Sequence, residues 1–204
     1  MNALATVLVL AAGVVPPFGA IAVIVWAYWS RTPWEQLGFS RPASWRWTVA
    51  GGLVLGVALK LTAKAVVLPA LGAPPTNPAY AAFAGNAALL PQAVFLAVVM
   101  GGIAEEIFWR GFLFQRLRAL LGDAPAARVA IVAVTALAFA LAHYAEQGVP
   151  GVEQGLLTGA VFGTLFAATG ILWPVMIAHA AYDLTAFATI YLGLETATAH
   201  LVFK

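Results

Sequence analysis

The sequence predicts an all-α protein, a polytopic transmembrane bundle of about six spanning helices. Of its 204 residues, 63% are hydrophobic and only 9% are charged, and its mean hydropathy is +0.93. A soluble domain carries about 25% charged residues, so this chain has too few to cover a surface that faces water. Its length accommodates roughly six spans of about 20 residues with short loops. Because no linker divides it, we expect a single domain over residues 1–204.

Composition also excludes several classes of function. The chain contains no cysteine, so neither disulfides nor thiolate chemistry is available to it. The formal net charge of +2 comes from a few arginines near helix ends, which is too little and too scattered for nucleic-acid binding. The first apolar segment has no Lys or Arg before it and is longer than the apolar core of a signal peptide, so we interpret it as a span.

The first half of the chain predicts two spans. Residues 3–29 form the first, with a kink expected at Pro16 and Pro17, and residues 30–45 form a polar loop. Residues 47–71 form the second span and contain Lys60 and Lys64. We favour a structural role for these lysines, because nothing in the sequence places them near the other ionisable groups. Residues 72–92 carry four prolines and no charge, which predicts a loop or a short surface helix.

The second half predicts four spans, at residues 91–121, 126–144, 152–169 and 171–192. The region 91–192 contains most of the ionisable residues that interrupt apolar stretches. Gly155, Gly159 and Gly163 lie four residues apart on one face of the fifth span. Glycines so spaced let helix backbones approach closely in lipid, so we expect this face to pack against another helix.

Ionisable residues within spans cost at least about 3 kcal/mol each at the bilayer centre and therefore need an explanation. Arg110 lies four residues after Glu106, on the same helical face, where the two side chains form an i,i+4 ion pair. Glu105 projects about 100° away and has no such local partner. A carboxylate of this kind is a candidate general base, although an ion-pair cluster that only locks helices together explains the three residues equally well.

Two of the three histidines also fall in apolar spans. His143 ends the fourth span, one helical turn after Phe139, and His179 lies four residues before Asp183 on the last span. A carboxylate beside an imidazole fixes its tautomer, whether for catalysis or for metal binding. A hydrogen bond that merely joins helices is the alternative for each residue taken alone. The convergence of two histidines and three acids in these spans favours function.

Three strings in this order resemble the family of intramembrane proteases that includes C-a-a-X prenyl endopeptidases and bacteriocin-processing enzymes, the CPBP family. Its Glu-Glu-x-x-x-Arg motif is matched by Glu105-Glu106-x-x-x-Arg110, and its Phe-x-x-x-His motif is matched by Phe139 and His143. Its third motif, His-x-x-x-Asn or Asp, is matched by His179-x-x-x-Asp183. The resemblance covers residues 101–183, whereas the first hundred residues match only in being apolar.

The resemblance implies a role for each motif residue. Glu105 and His143 would activate water, and His179 with Asp183 would stabilise the oxyanion of the tetrahedral intermediate. Supporting roles would fall to Glu106, Arg110 and Phe139. Asp183 stands where asparagine is frequent, and an ionised aspartate cannot donate a hydrogen bond to an oxyanion. It must then orient His179, carry a proton or ligate a metal.

A metal remains an open alternative in this interpretation. Zinc accepts two histidines and a carboxylate and leaves one position for water. If a divalent metal such as zinc participates, its candidate ligands are Glu105, His143, His179 and Asp183. The chain has no His-Glu-x-x-His string, which favours metal-free activation of water.

The function implied is an intramembrane endopeptidase that uses glutamate- and histidine-activated water on membrane-associated peptides or proteins. Membrane lipid and such a substrate are the expected partners, with a prenylated tail as one option. The location expected is a prokaryotic cell membrane, crossed several times. Two other classes compete: a proton- or ion-coupled transporter, and a non-catalytic membrane partner such as an immunity protein. No inverted repeat or pair of broken helices supports transport.

Overall fold

The computed structural model describes Val9, Ala11 and residues 16–203, and within them every regular element is helical. Six long helices form the body of the protein, and each corresponds to one predicted span: α1 (Pro16–Trp29), α2 (Trp45–Ala70), α3 (Ala87–Leu121), α4 (Pro125–Ala142), α5 (Tyr144–Thr169) and α6 (Leu172–Tyr191). A short helix that the sequence did not predict, α7 (Glu195–Ala199), follows. The all-α fold class is therefore confirmed. The kink expected at Pro16 and Pro17 involves residues outside the described part.

Three of these helices, α2, α3 and α4, are long and apolar enough to cross a membrane, with mean hydropathies of 1.8, 2.0 and 2.0. The described part of α1 is a shorter apolar helix, Pro17–Trp29. Large apolar side chains lie exposed on the outside of the bundle, among them Val54, Val129 and Leu137. An outer surface of this kind is stable in lipid and unfavourable in water. These features are those of an integral membrane protein.

Close helix packing in the bundle depends on glycine. A Cβ on Gly155 or Gly159 would lie 2.8 Å from the Cα of Ala140 or Ala136 on α4, closer than real Cβ atoms approach. The predicted packing role of the glycine face of α5 is thus confirmed, with α4 as its partner. Gly56 of α2 meets the backbone of α6 at the carbonyl of Ala178 in the same way.

Helix α6 is the central element, because both α2 and α3 pack along it. The contact between α3 and α6 also depends on a glycine, because a Cβ on Gly102 would lie 2.8 Å from the Cβ of Ala180. Wide π-helical turns occur in α3 at Leu96–Glu105 and Ile107–Phe114, on both sides of Glu106. Such turns occur in proteins mainly near functional sites.

Two loops that carry or adjoin arginines, called the basic loops below, lie at the same end of the bundle. They are residues 30–44, with Arg31 and Arg41, and residues 122–124, between Arg118 and Arg128. The amide of Leu172, at the start of α6, donates a hydrogen bond to the carbonyl of Gly38 in the first loop, 2.8 Å away. Asp123, between α3 and α4, accepts hydrogen bonds from Arg118 and Arg128 at 2.7 Å each. These bonds lower the pKa of Asp123 to about 2, so the loop keeps this arrangement across the physiological pH range.

One connection differs from the prediction. The segment expected to separate the fourth and fifth spans is helical from Tyr144, and it changes direction at Gly148, where a φ of +63° favours glycine. The connection between α2 and α3 contains a short 3₁₀ helix, Pro78–Phe83, as the predicted loop or short surface helix allows, and this helix packs against α6. Phe83 is buried 4.9 Å from the ring of Phe187, so this segment covers the bundle and does not lie free on its surface.

We expect the end that carries the basic loops to face the cytoplasm, according to the positive-inside rule. Because the native chain has no cysteine, single-cysteine variants report one site each. A membrane-impermeant maleimide added to intact cells should label Val149→Cys at the far end and should label Thr32→Cys only after permeabilisation. Val149 is 59% exposed, and it avoids the strain that a cysteine at Gly148 would introduce. The reverse labelling pattern would contradict this orientation.

Candidate active site

A cavity of about 460 Å³ opens among α2, α3, α5 and α6, and the end of α4 and the 3₁₀ segment complete its wall. All four residues that the sequence analysis proposed as catalytic line it: Glu105, His143, His179 and Asp183. They come from three helices and are up to 78 positions apart in the chain. The tertiary structure therefore brings the three motifs to one place.

Glu106 and Arg110 lie behind this wall and are almost completely buried, at 0% and 2% exposure. The predicted ion pair is present, with Arg110 donating to Glu106 Oε1 across 2.8 Å. The same oxygen accepts a hydrogen bond from Nδ1 of His179 across 2.6 Å. Glu106 thus joins α3 to α6 and fixes the ring of His179, a contact that the sequence analysis did not anticipate.

Because Nδ1 of His179 donates to Glu106, the other ring nitrogen faces the cavity. Nε2 lies 3.5 Å from Asp183 Oδ2 and 3.9 Å from Glu105 Oε2. Histidine held this way by a buried carboxylate presents one nitrogen in a defined orientation. The ring of His179 therefore lies within 4 Å of all three acidic side chains of the site.

Within the described part of the chain, Glu105 lacks a hydrogen-bonded partner at Oε2, and the sequence likewise offered it no local partner. No donor among the described residues forms a hydrogen bond with its buried Oε2 atom. A carboxylate oxygen in this position is free to accept a proton or a hydrogen bond from a molecule in the cavity. The neighbouring glutamates therefore differ in environment, since Glu106 is engaged by two donors and Glu105 by none.

His143 is placed by the end of α4. Its Nδ1 donates to the carbonyl of Phe139 across 2.8 Å, which leaves Nε2 as the acceptor in the neutral ring. The ring of Phe139 separates the two histidines, with its centroid 4.6 Å from His143 and 6.0 Å from His179. Arg110 lies over the same ring at 4.9 Å. Phe139 is therefore the apolar partition between the cavity and the buried ion pair.

Gly101 is a site residue that the sequence analysis missed. A Cβ at this position would collide with Oδ2 of Asp183 and would lie 3.4 Å from Nε2 of His179. Only glycine, one turn before Glu105, leaves room for this carboxylate. In the sequence, Gly101 is marked only by its position four residues before the first motif. Glycines are common in apolar membrane helices, so this position alone does not predict a site residue.

The structure places Lys60 and Lys64 on the cavity wall with the predicted catalytic residues, a proximity that was not expected from the sequence. Lys64 forms an ion pair with Glu195 across 3.0 Å, and Glu195 also accepts from the amide of Asn77. Lys60 donates to Gln154 Oε1 across 2.6 Å. No local spacing indicates these contacts, since the partners lie 94 and 131 positions away in the chain.

The mouth of the cavity is polar. Gln147 donates to the hydroxyl of Tyr80 across 3.3 Å and accepts from the side chain of Asn77 across 3.4 Å. Burial, together with the charge of Glu146, raises the pKa of the Tyr80 phenol, so it stays protonated at physiological pH. These contacts fasten the 3₁₀ segment to the start of α5.

As placed, the residues of the site do not fit a metal. Among residues 16–203, with Val9 and Ala11, no group of three His, Asp or Glu side chains is arranged to hold one ion. Nδ1 of His179 is already engaged by Glu106. The chemistry that remains is that of a carboxylate and an imidazole that share a buried cavity, which suits general-base activation of water.

Comparison with known protein families gives a match over the second half of the chain. Residues 87–185 match a family described as type II CAAX prenyl endopeptidase, Rce1-like. No curated protein and no solved structure gives a match. The matched residues contain all three motifs and the helices α3, α4 and α5 with most of α6. The resemblance found from the motifs is confirmed.

We expect Glu106→Gln to destabilise the protein by about 3 kcal/mol or more, because it leaves Arg110 buried without a counter-charge. The measurement is the free energy of unfolding in detergent micelles. Glu35→Gln, an exposed glutamate in the first loop, is the control and should change this free energy by less than about 0.5 kcal/mol. Equal stability of the two variants would show that the pair does not hold α3 and α6 together.

Proposed function

Because residues 87–185 match the Rce1-like family of type II CAAX prenyl endopeptidases, we propose that the protein hydrolyses peptide bonds inside the membrane with activated water. The family supports a protease and membrane-associated peptide substrates. The observation that carries the proposal for this chain is the shared cavity of Glu105, His143, His179 and Asp183.

In the proposed reaction Glu105 accepts a proton from water, with His143 as the second acceptor on the cavity wall. The water oxygen forms a bond to the carbonyl carbon of the peptide, and the carbonyl oxygen becomes an oxyanion. When the tetrahedral intermediate breaks its C–N bond, the proton held by Glu105 or His143 passes to the leaving amine. The products are a carboxylic acid and an amine, which ionise to a carboxylate and an ammonium, so no other reactant is needed.

The oxyanion is assigned to the side of the cavity where His179 and Asp183 meet. With Nδ1 of His179 committed to Glu106, Nε2 is the atom available to donate to the oxyanion when the ring is protonated. The carboxylate of Asp183 lies 3.5 Å from the same atom and is a charge partner of the protonated ring. Glu106 supplies a second carboxylate contact, so the ring keeps a charge partner even without Asp183.

The substrate class follows from where the cavity lies. Along α3 and α4, Glu105 and His143 lie about 25 Å from the end with the basic loops, at 1.5 Å of rise per residue. In a hydrocarbon layer about 30 Å thick this depth puts the site towards the end of the bundle opposite the basic loops, and we infer a substrate that is itself anchored in lipid, such as a prenylated peptide or a membrane-protein segment. A multi-pass topology in a prokaryotic cell membrane accords with this proposal.

Purified protein in proteoliposomes, given a library of membrane-proximal peptides with and without a prenyl group, tests the proposal directly. Cleavage by wild type supports it. Ion flux without cleavage would favour transport. Absence of both activities, with tight binding of a membrane protein, would favour a non-catalytic partner.

Replacing Glu105 by Gln should lower cleavage by about 100-fold or more, because the amide cannot accept the proton of water. Thermal stability should stay near that of wild type, since Glu105 has no hydrogen-bonded partner at Oε2. Glu146→Gln is the matched control on the same cavity wall, and it should retain activity within a few-fold. Activity of Glu105→Gln within about tenfold of wild type would rule out Glu105 as the base.

The variant Asp183→Asn distinguishes the two mechanisms left open by the third motif. In the metal-free mechanism the amide adds a donor and removes a charge that opposes the oxyanion, so activity should persist or rise. The measurement is a pH–rate profile of wild type and variant, each with and without a chelator. A chelator-sensitive wild type, with a variant at least about tenfold slower that excess zinc restores, would instead assign Asp183 to a metal.

A further inference from the structure

A second cavity, of about 420 Å³, lies at the end of the bundle that carries the basic loops. The 3₁₀ turn Trp34–Leu37 of the first loop, the last turns of α3 and the second loop contribute to its wall, which shares no residue with the wall of the catalytic cavity. Its polar side chains are those of Glu35, Gln36, Gln115, Arg116, Arg118 and Asp123. The proposed reaction uses none of them.

Arg116 differs from the other arginine on this wall. Arg118 is paired with Asp123 across 2.7 Å, and Asp123 is also paired with Arg128. Among the described residues, no carboxylate oxygen lies within 4.0 Å of the Arg116 guanidinium, and its buried Nε atom has no hydrogen-bond partner. A guanidinium has five N–H donors and keeps its charge at physiological pH, so an anion in the cavity would meet donors that these residues leave open.

Two aromatic rings hold this guanidinium in place. Its Cζ atom lies 5.0 Å from the ring centre of Trp26 on α1 and 5.9 Å from that of Phe112, one turn earlier on α3. Both rings are buried, and they pack edge to face with their centres 5.4 Å apart. A cation held over two fixed rings is already ordered, so binding an anion costs it little side-chain entropy.

The acids on the wall leave Arg116 open to a ligand. Asp123 is engaged by its two arginines, and Glu35 is exposed, where water and salt screen its charge. Gln36 and Gln115 add neutral amide donors to the same wall. An arginine without a carboxylate partner, together with neutral donors, is a set of groups that recognises a phosphate.

The surroundings of the cavity are those of a membrane–water interface. Ala119 on its wall is followed along α3 by the exposed side chains of Leu120 and Leu121, and Glu35 is preceded by the exposed Trp34. Apolar side chains that flank a cationic cavity suit a molecule with both acyl chains and a charged headgroup. Basic pockets between transmembrane helices bind the headgroups of anionic lipids in this way.

We propose that Arg116 binds the phosphate of an anionic phospholipid in the leaflet next to the basic loops. The headgroup would lie between the first basic loop and the end of α3, and would join these two parts of the chain. Because this site is separate from the catalytic cavity, the inference does not depend on the proposed protease function.

The test measures lipid binding to the full-length, delipidated protein in detergent micelles by native mass spectrometry. The probes are phosphatidylglycerol and phosphatidylcholine, whose choline cancels the charge of its phosphate. Wild type should bind phosphatidylglycerol at least about tenfold more tightly, as expected for one charge-assisted hydrogen bond. Inorganic phosphate in equimolar amount should not displace the lipid.

Variants at two arginines identify the residue responsible. Arg116→Met removes the cation and should reduce the ratio of the two affinities to about one, whereas Arg116→Lys keeps a point charge and should retain part of the preference. Arg46→Met is the matched control, because Arg46 also lies over a tryptophan ring, 5.5 Å from the centre of Trp47, but does not line the cavity. Each ratio compares two lipids on one variant, so a general loss of stability does not change it.

Equal affinity of wild type for the two lipids would overturn the proposal. A ratio kept in Arg116→Met, or lost equally in Arg46→Met, would overturn the assignment to Arg116. Displacement of phosphatidylglycerol by equimolar inorganic phosphate would show a site for a free anion and not for a lipid. Peptide cleavage enters none of these measurements, so failure of the protease function would leave this inference standing.

Discussion

The arrangement of the site depends on one buried oxygen atom. Oε1 of Glu106 receives Arg110 from its own helix and His179 from α6, within 2.8 and 2.6 Å. Two donors on one carboxylate hold its charge in a region where water does not supply hydrogen bonds. The contact sets the rotation of α6 relative to α3, and with it the side of the histidine ring that faces the cavity. Glu105, one residue earlier, is free because Glu106 is engaged.

Small residues supply the space that this contact requires. Gly101 leaves room for Asp183, and Gly56 and Gly102 let α2 and α3 lie directly against α6. In lipid the hydrophobic effect does not drive helices together, so close backbone contact and polar links must do so. The Glu106 link and the contacts of Gly101 and Gly102 therefore act on the same helix pair, α3 and α6, which carries two of the three motifs.

The cavity combines an apolar partition with unevenly matched charges. Phe139 lies between His143 and the Arg110 ion pair, and Lys64 is neutralised by Glu195. Glu105 also lines the cavity, and among the described residues no donor forms a hydrogen bond with its buried Oε2 atom. This oxygen is therefore available to accept a proton from a molecule in the cavity. Catalysis is the function proposed for Glu105.

The sequence by itself determined the helical class, the position of each long helix and the set of ionisable residues that required explanation. Local periodicity fixes these features, because an apolar run of about 20 residues has few alternatives and an i,i+4 pair such as Glu106 and Arg110 forms within one helix. The glycine spacing of α5 likewise predicted a packed face without naming its partner. Three short motifs were enough to indicate the family.

Only the tertiary structure decided which helices meet. The contacts of Glu106 with His179, of Lys60 with Gln154 and of Lys64 with Glu195 join residues 73, 94 and 131 positions apart. No local rule of spacing reaches that far, because the relative rotation of two helices depends on their whole interface. For the same reason the lysines were assigned no neighbours from the sequence, and Gly101 gave no usable signal. The sequence was enough to identify the candidate catalytic residues. That they line one cavity depends on how the six helices pack.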